Sequence, residues 1–164
     1  MTYGTAPLRE AVAQWFARRR GVPNLDPAGV LPTIGSKEMV AWLPLLLGLG
    51  PGDVVVHPEV AYPTYDVGAR LAGATPLPAD GTLQVGPATG RVRLVWVNSP
   101  GNPNGKVLGS STCARWWTGL ARSGPCWSVT SVTPSSAGTA SRCPVCSPRR
   151  SAAGRTRVCW CSTR

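Results

Sequence analysis

Residues 91–105, RVRLVWVNSPGNPNG, decide the fold class because they join a buried strand to a loop of fixed path. Polar and apolar residues alternate from Arg91, and residues 95–97 are continuously apolar, which is typical of a strand covered on both faces. Two prolines and two glycines in residues 98–105 restrict the backbone of the loop that follows. The stretch therefore predicts a buried strand that presents Asn102 at its carboxyl end.

Helical periodicity marks three further segments of the first 109 residues. Thr5 can cap a helix that Gly21 ends, and two more helices are predicted for residues 36–47 and 62–71. Residues 54–56 predict a short buried strand between the second and third helices. The residues expected to face inward on the second helix are Met39, Val40, Leu43 and Leu47. Strands that alternate with helices indicate an α/β fold with a mostly parallel sheet covered by helices.

Three loops of this arrangement carry side chains suited to a flat, phosphorylated ligand, and such sheets bind ligands beyond the carboxyl ends of their strands. Ser36 opens a helix, where free N–H groups and a hydroxyl can hold a phosphate. The Tyr62 ring can cover a flat heterocycle, and the Asn102 amide can bond a ring oxygen. Taken singly, these residues are also explained as a helix cap, a core aromatic and a turn asparagine.

Charge and cysteine content divide the chain near Gly109. All seven acidic residues lie at or before Asp80, and all six cysteines lie at or after Cys113. Residues 110–164 contain eight arginines and no acidic residue, so they supply +8 of the chain's net charge of +10. We therefore expect a folded part at residues 1–109 and a disordered basic tail at residues 110–164.

Membrane and export signals are absent from the sequence as given. No window approaches the ~20 consecutive apolar residues of a membrane span, and the first residues lack the basic-then-apolar order of a signal peptide. These observations favour the cytoplasm, where the cysteines would stay reduced.

The motifs in the first 109 residues together resemble the class I/II aminotransferases, which depend on pyridoxal 5′-phosphate and have fold type I. Residues 99–105, SPGNPNG, resemble the Ser-Pro-x-Asn-Pro-Thr-Gly loop of that family, with Asn104 in place of the usual threonine. Residues 4–11, GTAPLREA, resemble the start of a family helix, and residues 35–38, GSKE, resemble its cofactor-phosphate loop. The resemblance implies a partial large domain of this fold.

The resemblance also implies a role for each candidate residue. Gly35, Ser36 and Lys37 would lie at the cofactor phosphate, Tyr62 would stack on the pyridine ring, and Asn102 would bond the phenolic oxygen of that ring. No metal site is implied.

Two stretches, residues 31–44 and 61–70, are most similar to actinobacterial succinyldiaminopimelate aminotransferases. This similarity implies transamination between an amino acid of the N-succinyl-LL-2,6-diaminopimelate type and 2-oxoglutarate, in the diaminopimelate route to lysine. It also implies a homodimer whose partners are small amino and 2-oxo acids, with no nucleic acid and no membrane.

The residues that such an enzyme needs for catalysis are missing from these 164 residues. The family requires a Schiff-base lysine, an aspartate at the pyridinium nitrogen and an arginine for the substrate carboxylate. The lysines here are Lys37 and Lys106, both in other motifs, and no acidic residue follows Asp80. Met1 falls just before the Gly4 motif, so we expect the N-terminal arm to be missing as well. The chain is therefore predicted to be inactive alone, as a non-catalytic cofactor-binding fragment.

We hypothesise that a reading-frame slip near Gly109 or Ser110, in the gene or in its sequencing, produced the composition of the tail. Residues 110–164 have no Ile, Met, Phe, Tyr, Lys, Asp or Glu. Read one frame away with permitted third bases, residues 130–133 become Asp-Glu-Cys-Tyr, which resembles the family's aspartate motif.

Two other functions for the tail stay open. One is a zinc site, for which Cys143 and Cys146 have suitable spacing but Cys159 and Cys161 do not. The other is a basic nucleic-acid-binding module, which would use the arginines with Trp116, Trp117 and Trp160.

Overall fold

The computed structural model describes residues 3–20, 22–81, 84–85, 90–108, 127–132 and 158–160. In chain order the elements are α1 (Ala6–Arg20), a short 3-10 turn (Pro27–Gly29), α2 (Ser36–Leu46), β1 (Asp53–His57), α3 (Thr64–Leu71), β2 (Thr75–Pro78), β3 (Arg91–Ser99), β4 (Trp127–Val132) and β5 (Val158–Trp160). Within these ranges, no helix has both the length and the apolar content to cross a membrane.

The strands form one parallel sheet in the order β2-β1-β3-β4-β5. The register between β1 and β3 shifts where Val54 pairs with Val92 and Val55 pairs with Leu94. Arg93 is thus an extra residue on β3, as in a β-bulge. The parallel sheet and the alternation of strands with helices confirm the predicted α/β class.

Apolar clusters lie on both faces of the sheet, as the continuous apolar runs of β1 and β3 predict. Val55 and Leu94 are fully buried at the centre of the face that packs against α2 and α3. The members of this cluster are Val40, Leu43, Leu49, Val55, Tyr65, Ala69, Ala72, Ala74, Leu94 and Trp96. The opposite face contributes Val54, Val56, Ala79, Val92, Val95 and Val97. The inward residues predicted for α2 are confirmed, since Met39 and Leu47 pack against the first cluster.

A glycine brings α2 and α3 into close contact. A Cβ added at Gly68 would lie 2.9 Å from the Ala41 carbonyl oxygen and 3.0 Å from that of Val40. Those atoms are backbone and have little freedom to move aside. Gly68 therefore fixes α3, and the loop that precedes it, against α2.

The boundaries of two elements differ from the predictions. The third helix begins at Thr64 and not at Tyr62, because Pro63 forms its N-cap and Tyr62 stays in the preceding loop. Strand β2 was not predicted, since its sequence TPLP contains two prolines. It lies at the edge of the sheet, where prolines are tolerated because one side of the strand needs no hydrogen-bond partners.

Strands β4 and β5 lie in the region expected to be unstructured. Val97 pairs with Thr130, and Thr130 pairs with Cys159, both in parallel register. Strand β4 thus covers the edge that β3 would otherwise leave open, and β5 pairs with β4. The disorder expected for residues 110–164 as a whole stays a prediction. The rest of residues 109–164 lies outside the described residues.

Candidate functional site

The carboxyl ends of β1, β2 and β3 meet at one edge of the sheet because the three strands are parallel. The loops that leave these strands begin at Pro58, Ala79 and Pro100. The loop before α3, which contains Tyr62, continues from the end of β1. This edge is the place where the sequence predicts a ligand.

The start of α2 provides a position for an anion. Its N-cap is Gly35, which has φ of 85° and provides no side-chain cap for the helix. A positive φ favours glycine, and a Cβ at this position would meet nothing within 4 Å. The first-turn N–H groups at Ser36, Lys37 and Glu38 have no partner within the helix, so they are available to an anion from the open side.

Lys37 and Tyr62 contact each other although 25 residues separate them. The Lys37 Nζ donates a hydrogen bond of 3.2 Å to the Tyr62 hydroxyl. The same Nζ lies 5.0 Å from the centroid of the Tyr62 ring, within the range of a cation–π contact. The structure thus places a cation and an aromatic ring beside the start of α2, and the ring is 46% exposed.

Asn102 occupies a loop that is held by internal hydrogen bonds. Gly101 N donates to Lys106 O at 2.8 Å, and Gly105 N donates to Gly101 O at 2.7 Å. In the orientation of the Asn98 amide that satisfies both of its ends, Oδ1 accepts from Asn102 N at 3.1 Å and Nδ2 donates to Pro100 O at 3.3 Å. The Asn102 side chain is exposed at the end of β3.

A polar network that the sequence did not predict joins the three strand-end loops. Asp80 accepts from Glu59 N at 3.1 Å and from Lys106 Nζ at 3.3 Å. Gln84 Oε1 accepts from Asp80 N at 2.8 Å, and Gln84 Nε2 donates to the Glu59 carboxylate. The partners lie up to 26 residues apart in the chain, and no local motif marks them.

A buried group of rings lies at the end of β1 and β3. Tyr65 and Trp96 have ring centroids 5.2 Å apart, and burial raises the pKa of the Tyr65 hydroxyl. His57 Nδ1 lies 2.9 Å from Pro58 O, so this nitrogen carries the proton. In the described part of the chain, His57 Nε2 and Trp96 Nε1 are buried without a hydrogen-bond partner. Sequence patterns gave no sign of this arrangement.

The predicted site residues are thus brought together in part. Gly35, Ser36, Lys37 and Tyr62 form one group, while Asn102 lies on a neighbouring loop. A depression between the loops is lined by residues next to Asn102, including Asn98 and Gly101, and by Pro58 and Asp80.

The alternative sites proposed for the tail are not described by the structure. Within the described ranges, no three His, Cys, Asp or Glu side chains form a metal-binding group. Cys143, Cys146 and Cys161 lie outside those ranges, as do Trp116 and Trp117. Cys159 and Trp160 belong to β5, where the structure gives the backbone alone.

Comparison with known proteins identifies the family. The family model described as aminotransferase class I and II matches residues 1–114. The chain belongs to the class I/II aminotransferases. Enzymes of this family depend on pyridoxal phosphate, use amino and oxo acids as substrates and are generally dimeric.

Two curated relatives and one solved structure illustrate how much of an aminotransferase this chain covers. Probable aminotransferase Rv1178 of Mycobacterium tuberculosis is 59% identical over 108 residues, which are 66% of this chain and 25% of that protein. The 4-dedimethylamino-4-oxo-anhydrotetracycline transaminase OxyQ of Streptomyces rimosus is 55% identical over 107 residues, 65% of this chain and 29% of that protein. The structure of N-succinyldiaminopimelate aminotransferase from Mycobacterium tuberculosis matches with a TM-score of 0.68 at 28% identity, covering 80% of this chain and 36% of that one. The chain therefore spans about a quarter to a third of the length of the curated relatives it matches.

The residues of this aminotransferase chain fit the phosphate end of the family's cofactor. The open space beside Gly35 and the uncapped start of α2 suit a phosphate dianion. The Lys37 ammonium adds a positive charge at the same place, and the half-exposed Tyr62 ring offers a flat apolar surface next to it. A phosphate and an attached aromatic ring thus find suitable partners side by side.

Proposed function

We propose that this chain is the cofactor-phosphate part of a transaminase that moves an amino group between an N-succinyl-LL-2,6-diaminopimelate-type amino acid and 2-oxoglutarate. In this proposal the complete enzyme is a cytoplasmic homodimer of the diaminopimelate route to lysine. The substrate assignment is supported by residues 31–44 and 61–70 and by the similarity to the N-succinyldiaminopimelate aminotransferase structure. OxyQ is named for a different amine, so the substrate rests on these similarities and not on the family alone.

One observation supports the cofactor site above all others: the uncapped start of α2 lies beside the Lys37–Tyr62 contact. The N–H groups after Gly35 and the Ser36 hydroxyl would hold the phosphate, and Lys37 would neutralise part of its charge. Tyr62 would cover one face of the pyridine ring, and the Asn102 amide would donate to the phenolic oxygen. When bound, the cofactor supplies an electron-withdrawing ring for the carbon that carries the amino group.

We further propose that the chain binds the cofactor without turning over substrates. Its lysines, Lys37 and Lys106, are engaged with Tyr62 and Asp80, and no acidic residue follows Asp80 in the sequence. A group that moves the substrate proton and a partner for the pyridinium nitrogen are therefore both absent from these 164 residues. Transamination of an amino donor with 2-oxoglutarate by the purified chain would contradict this part of the proposal.

The division at residue 109 and the frame slip remain proposals of their own. With permitted third bases the alternative frame gives aspartate at position 130, and in the structure Thr130 pairs with Val97, two residues before the end of β3. Position 130 therefore lies in the carboxyl-terminal half of β4, two residues before the strand ends at Val132. Sequencing the locus tests the hypothesis. If the DNA encodes residues 110–164 and its neighbouring frame does not give the aspartate segment, the frame slip is excluded.

Calorimetric titration with pyridoxine 5′-phosphate tests the cofactor site, because this alcohol keeps the ring and phosphate but cannot condense with lysines. We expect binding that pyridoxine, which lacks the phosphate, does not reproduce. Ser36→Asp places a negative charge at the proposed phosphate position. Ser36→Asn is the matched control, because an asparagine side chain has nearly the same size as an aspartate side chain but no charge. At an effective dielectric constant of ~20 to 80, charges ~4 Å apart interact by about 1 to 4 kcal/mol, so Ser36→Asp should bind at least about fivefold more weakly than Ser36→Asn.

The matched variant separates charge from shape. Ser36→Asn should weaken binding by about fivefold relative to the wild type, since it removes one hydroxyl hydrogen bond that contributes about 1 kcal/mol. An acidic residue in the first turn is compatible with the helix dipole, so neither variant should unfold α2. Equal affinity for pyridoxine and its phosphate, or equal affinity of the two variants, would show that the start of α2 is not the phosphate site.

A further inference from the structure

We propose that Asn98 is a positioning residue: its side-chain amide sets the place of Asn102 and thereby the donor that meets the ring oxygen of the cofactor. The inference rests on the proposed function for the identity of the ligand. Nothing in the resemblance assigns a role to Asn98, which the sequence marks only as the first residue of the loop.

The Asn98 amide uses both of its ends on the backbone of its own loop. With the amide oriented so that both ends have partners, Oδ1 accepts from the N–H of Asn102 at 3.1 Å and Nδ2 donates to the carbonyl of Pro100 at 3.3 Å. The amide thus spans the turn between the end of β3 and the residue proposed to contact the ring. An aspartate at position 98 would keep the acceptor and lose the donor, and an alanine would lose both.

Other hydrogen bonds hold the loop at different points. Gly101 N donates to Lys106 O, Leu108 N donates to Ser99 Oγ at 3.0 Å, and Lys106 N donates to Asn104 Oδ1 at 3.0 Å. These bonds join residues 99, 101 and 104 to residues 106 and 108, so they hold the segment that follows Asn102. In the part of the chain that the structure describes, the bond from Asn98 is the one that reaches Asn102 itself.

The position of Asn98 makes it a stable support. Strand β3 lies at the centre of the sheet between β1 and β4, and Asn98 pairs with Ser131 of β4 in the ladder. Its backbone is therefore held on β3, whereas Asn102 is exposed beyond the strand end. Because Asn98 is held in the sheet, its hydrogen bond with the Asn102 N–H restricts the position of the exposed Asn102.

The position of Asn102 has a measurable chemical consequence. An amide donor to a phenolic oxygen stabilises the ionised form of that oxygen and lowers the pKa of the bound ring hydroxyl. Loss of the support at Asn98 would let Asn102 move away from the oxygen, and the pKa of the bound hydroxyl would return toward its value in free solution. Binding of inorganic phosphate at the start of α2 would not change, because that position does not involve the loop.

The experiment uses the full chain and the variants Asn98→Ala and Asn98→Asp, with Asn104→Thr as a matched control in the same loop. Threonine at 104 retains an oxygen that can accept from Lys106 N, so this control should behave as the wild type. Amide hydrogen exchange of Asn102, followed by NMR, reports the bond itself. Absorbance titration of bound pyridoxine 5′-phosphate with pH reports the ionisation of its 3-hydroxyl, and inorganic phosphate affinity reports the start of α2.

We expect exchange at Asn102 to become about five to ten times faster in Asn98→Ala and to stay within about twofold of the wild type in Asn98→Asp. In Asn98→Ala the pKa of the bound hydroxyl should also rise, with unchanged phosphate affinity. Unchanged exchange in Asn98→Ala overturns the inference alone. Faster exchange without a change in the bound hydroxyl reduces Asn98 to a structural contact and also overturns it. Failure of the wild type to bind pyridoxine 5′-phosphate overturns the proposed function, and the role of Asn98 toward the ligand with it.

Discussion

Replacement of Asp53 by alanine tests the most buried ionic contact in the described part of the chain. The Asp53 side chain, at the start of β1, is 6% exposed. Its Oδ1 accepts a hydrogen bond of 2.6 Å from Arg91 Nε and lies 2.6 Å from Arg91 Nη2 in a salt bridge. Its second oxygen accepts from Gly50 N at 3.1 Å. Burial acts to raise the pKa of this carboxyl, but the hydrogen bonds from Arg91 and Gly50 and the charges of Arg91 and Arg93 outweigh it, so the pKa lies below 3.8.

The loss of stability expected for Asp53→Ala follows from the two groups that donate hydrogen bonds to this carboxylate, the Arg91 side chain and the Gly50 N–H. A hydrogen bond to a charged group contributes about 1.5 to 3 kcal/mol, and alanine at position 53 removes such bonds from both Arg91 and Gly50. The Arg91 side chain is 61% exposed, so water replaces part of what it loses. We therefore expect Asp53→Ala to lower the free energy of unfolding by about 2 kcal/mol. For a domain of ~100 residues this corresponds to a midpoint lower by roughly 10 °C.

The pH dependence gives an independent check with a defined sign. Because the folded-state pKa of Asp53 is depressed, its stabilisation is present above pH 3.8 and is lost as pH falls through the folded-state value. The stability of the wild type should therefore fall more steeply than that of Asp53→Ala below pH 3.8. At higher pH, where Asp53 is ionised in both the folded and the unfolded wild type, its ionisation should not change the difference in unfolding free energy between the two proteins.

Urea unfolding followed by circular dichroism measures both effects, with Asp66→Asn as the control. Asp66 pairs with Arg70 one turn along α3, and that exposed pair should give a clearly smaller change than the Asp53 pair. A loss of less than about 0.5 kcal/mol in Asp53→Ala at neutral pH, with an unchanged urea dependence, would refute this reasoning. So would parallel pH profiles of the wild type and Asp53→Ala down to acid unfolding.

Two further predictions concern the helix face of the sheet. Gly68→Val should lower the free energy of unfolding by about 1 to 3 kcal/mol, because its side chain meets the backbone of α2, whereas Gly29→Ala should change little since nothing lies within 4 Å. Urea midpoints of the two variants decide this, and equal midpoints would contradict close packing at Gly68. Burial raises the pKa of Tyr65, so its neutral form stabilises the fold below about pH 10 and this contribution is lost as pH rises further. Ultraviolet titration of Tyr65→Phe should lack an ionisation that the wild type shows above pH 10, and an unchanged absorbance change above pH 10 would contradict the assignment.

The sequence predicted the elements whose signal is local and strong. Residues 95–97 and 54–56 are continuously apolar, and both segments are buried on two faces in β3 and β1. Helix α2 follows its apolar periodicity to within one residue. Strand β2 escaped prediction because prolines at 76 and 78 remove the usual strand signal, and its place at the sheet edge depends on pairing with Val54–His57.

The sequence predicted which residues are candidates for the site, but it did not predict which of them contact one another. Lys37 and Tyr62 were both candidates, yet their hydrogen bond depends on how the loop before α3 lies against α2, which Gly68 determines through packing. Glu59, Asp80 and Gln84 carry no motif, and Glu59 meets the other two only because the parallel strands β1 and β2 end at one edge. Tertiary geometry of this kind has no signature in a single sequence.

The order of the elements shows how all residues of the proposed cofactor site can come from one continuous part of the chain. Gly35 to Asn102 spans α2, β1, α3, β2 and β3, and the parallel order of these strands brings their carboxyl ends to one edge without any later segment. Groups for the phosphate and for one face of the ring therefore arise from consecutive elements. The 164 residues contain the groups proposed to bind the cofactor but not the lysine and aspartate that the reaction needs, so binding can be measured apart from turnover. The titrations of Ser36→Asp and Asn98→Ala test two contacts of one ligand separately. Ser36→Asp changes the proposed contact with the phosphate, and Asn98→Ala changes the proposed contact with the ring oxygen.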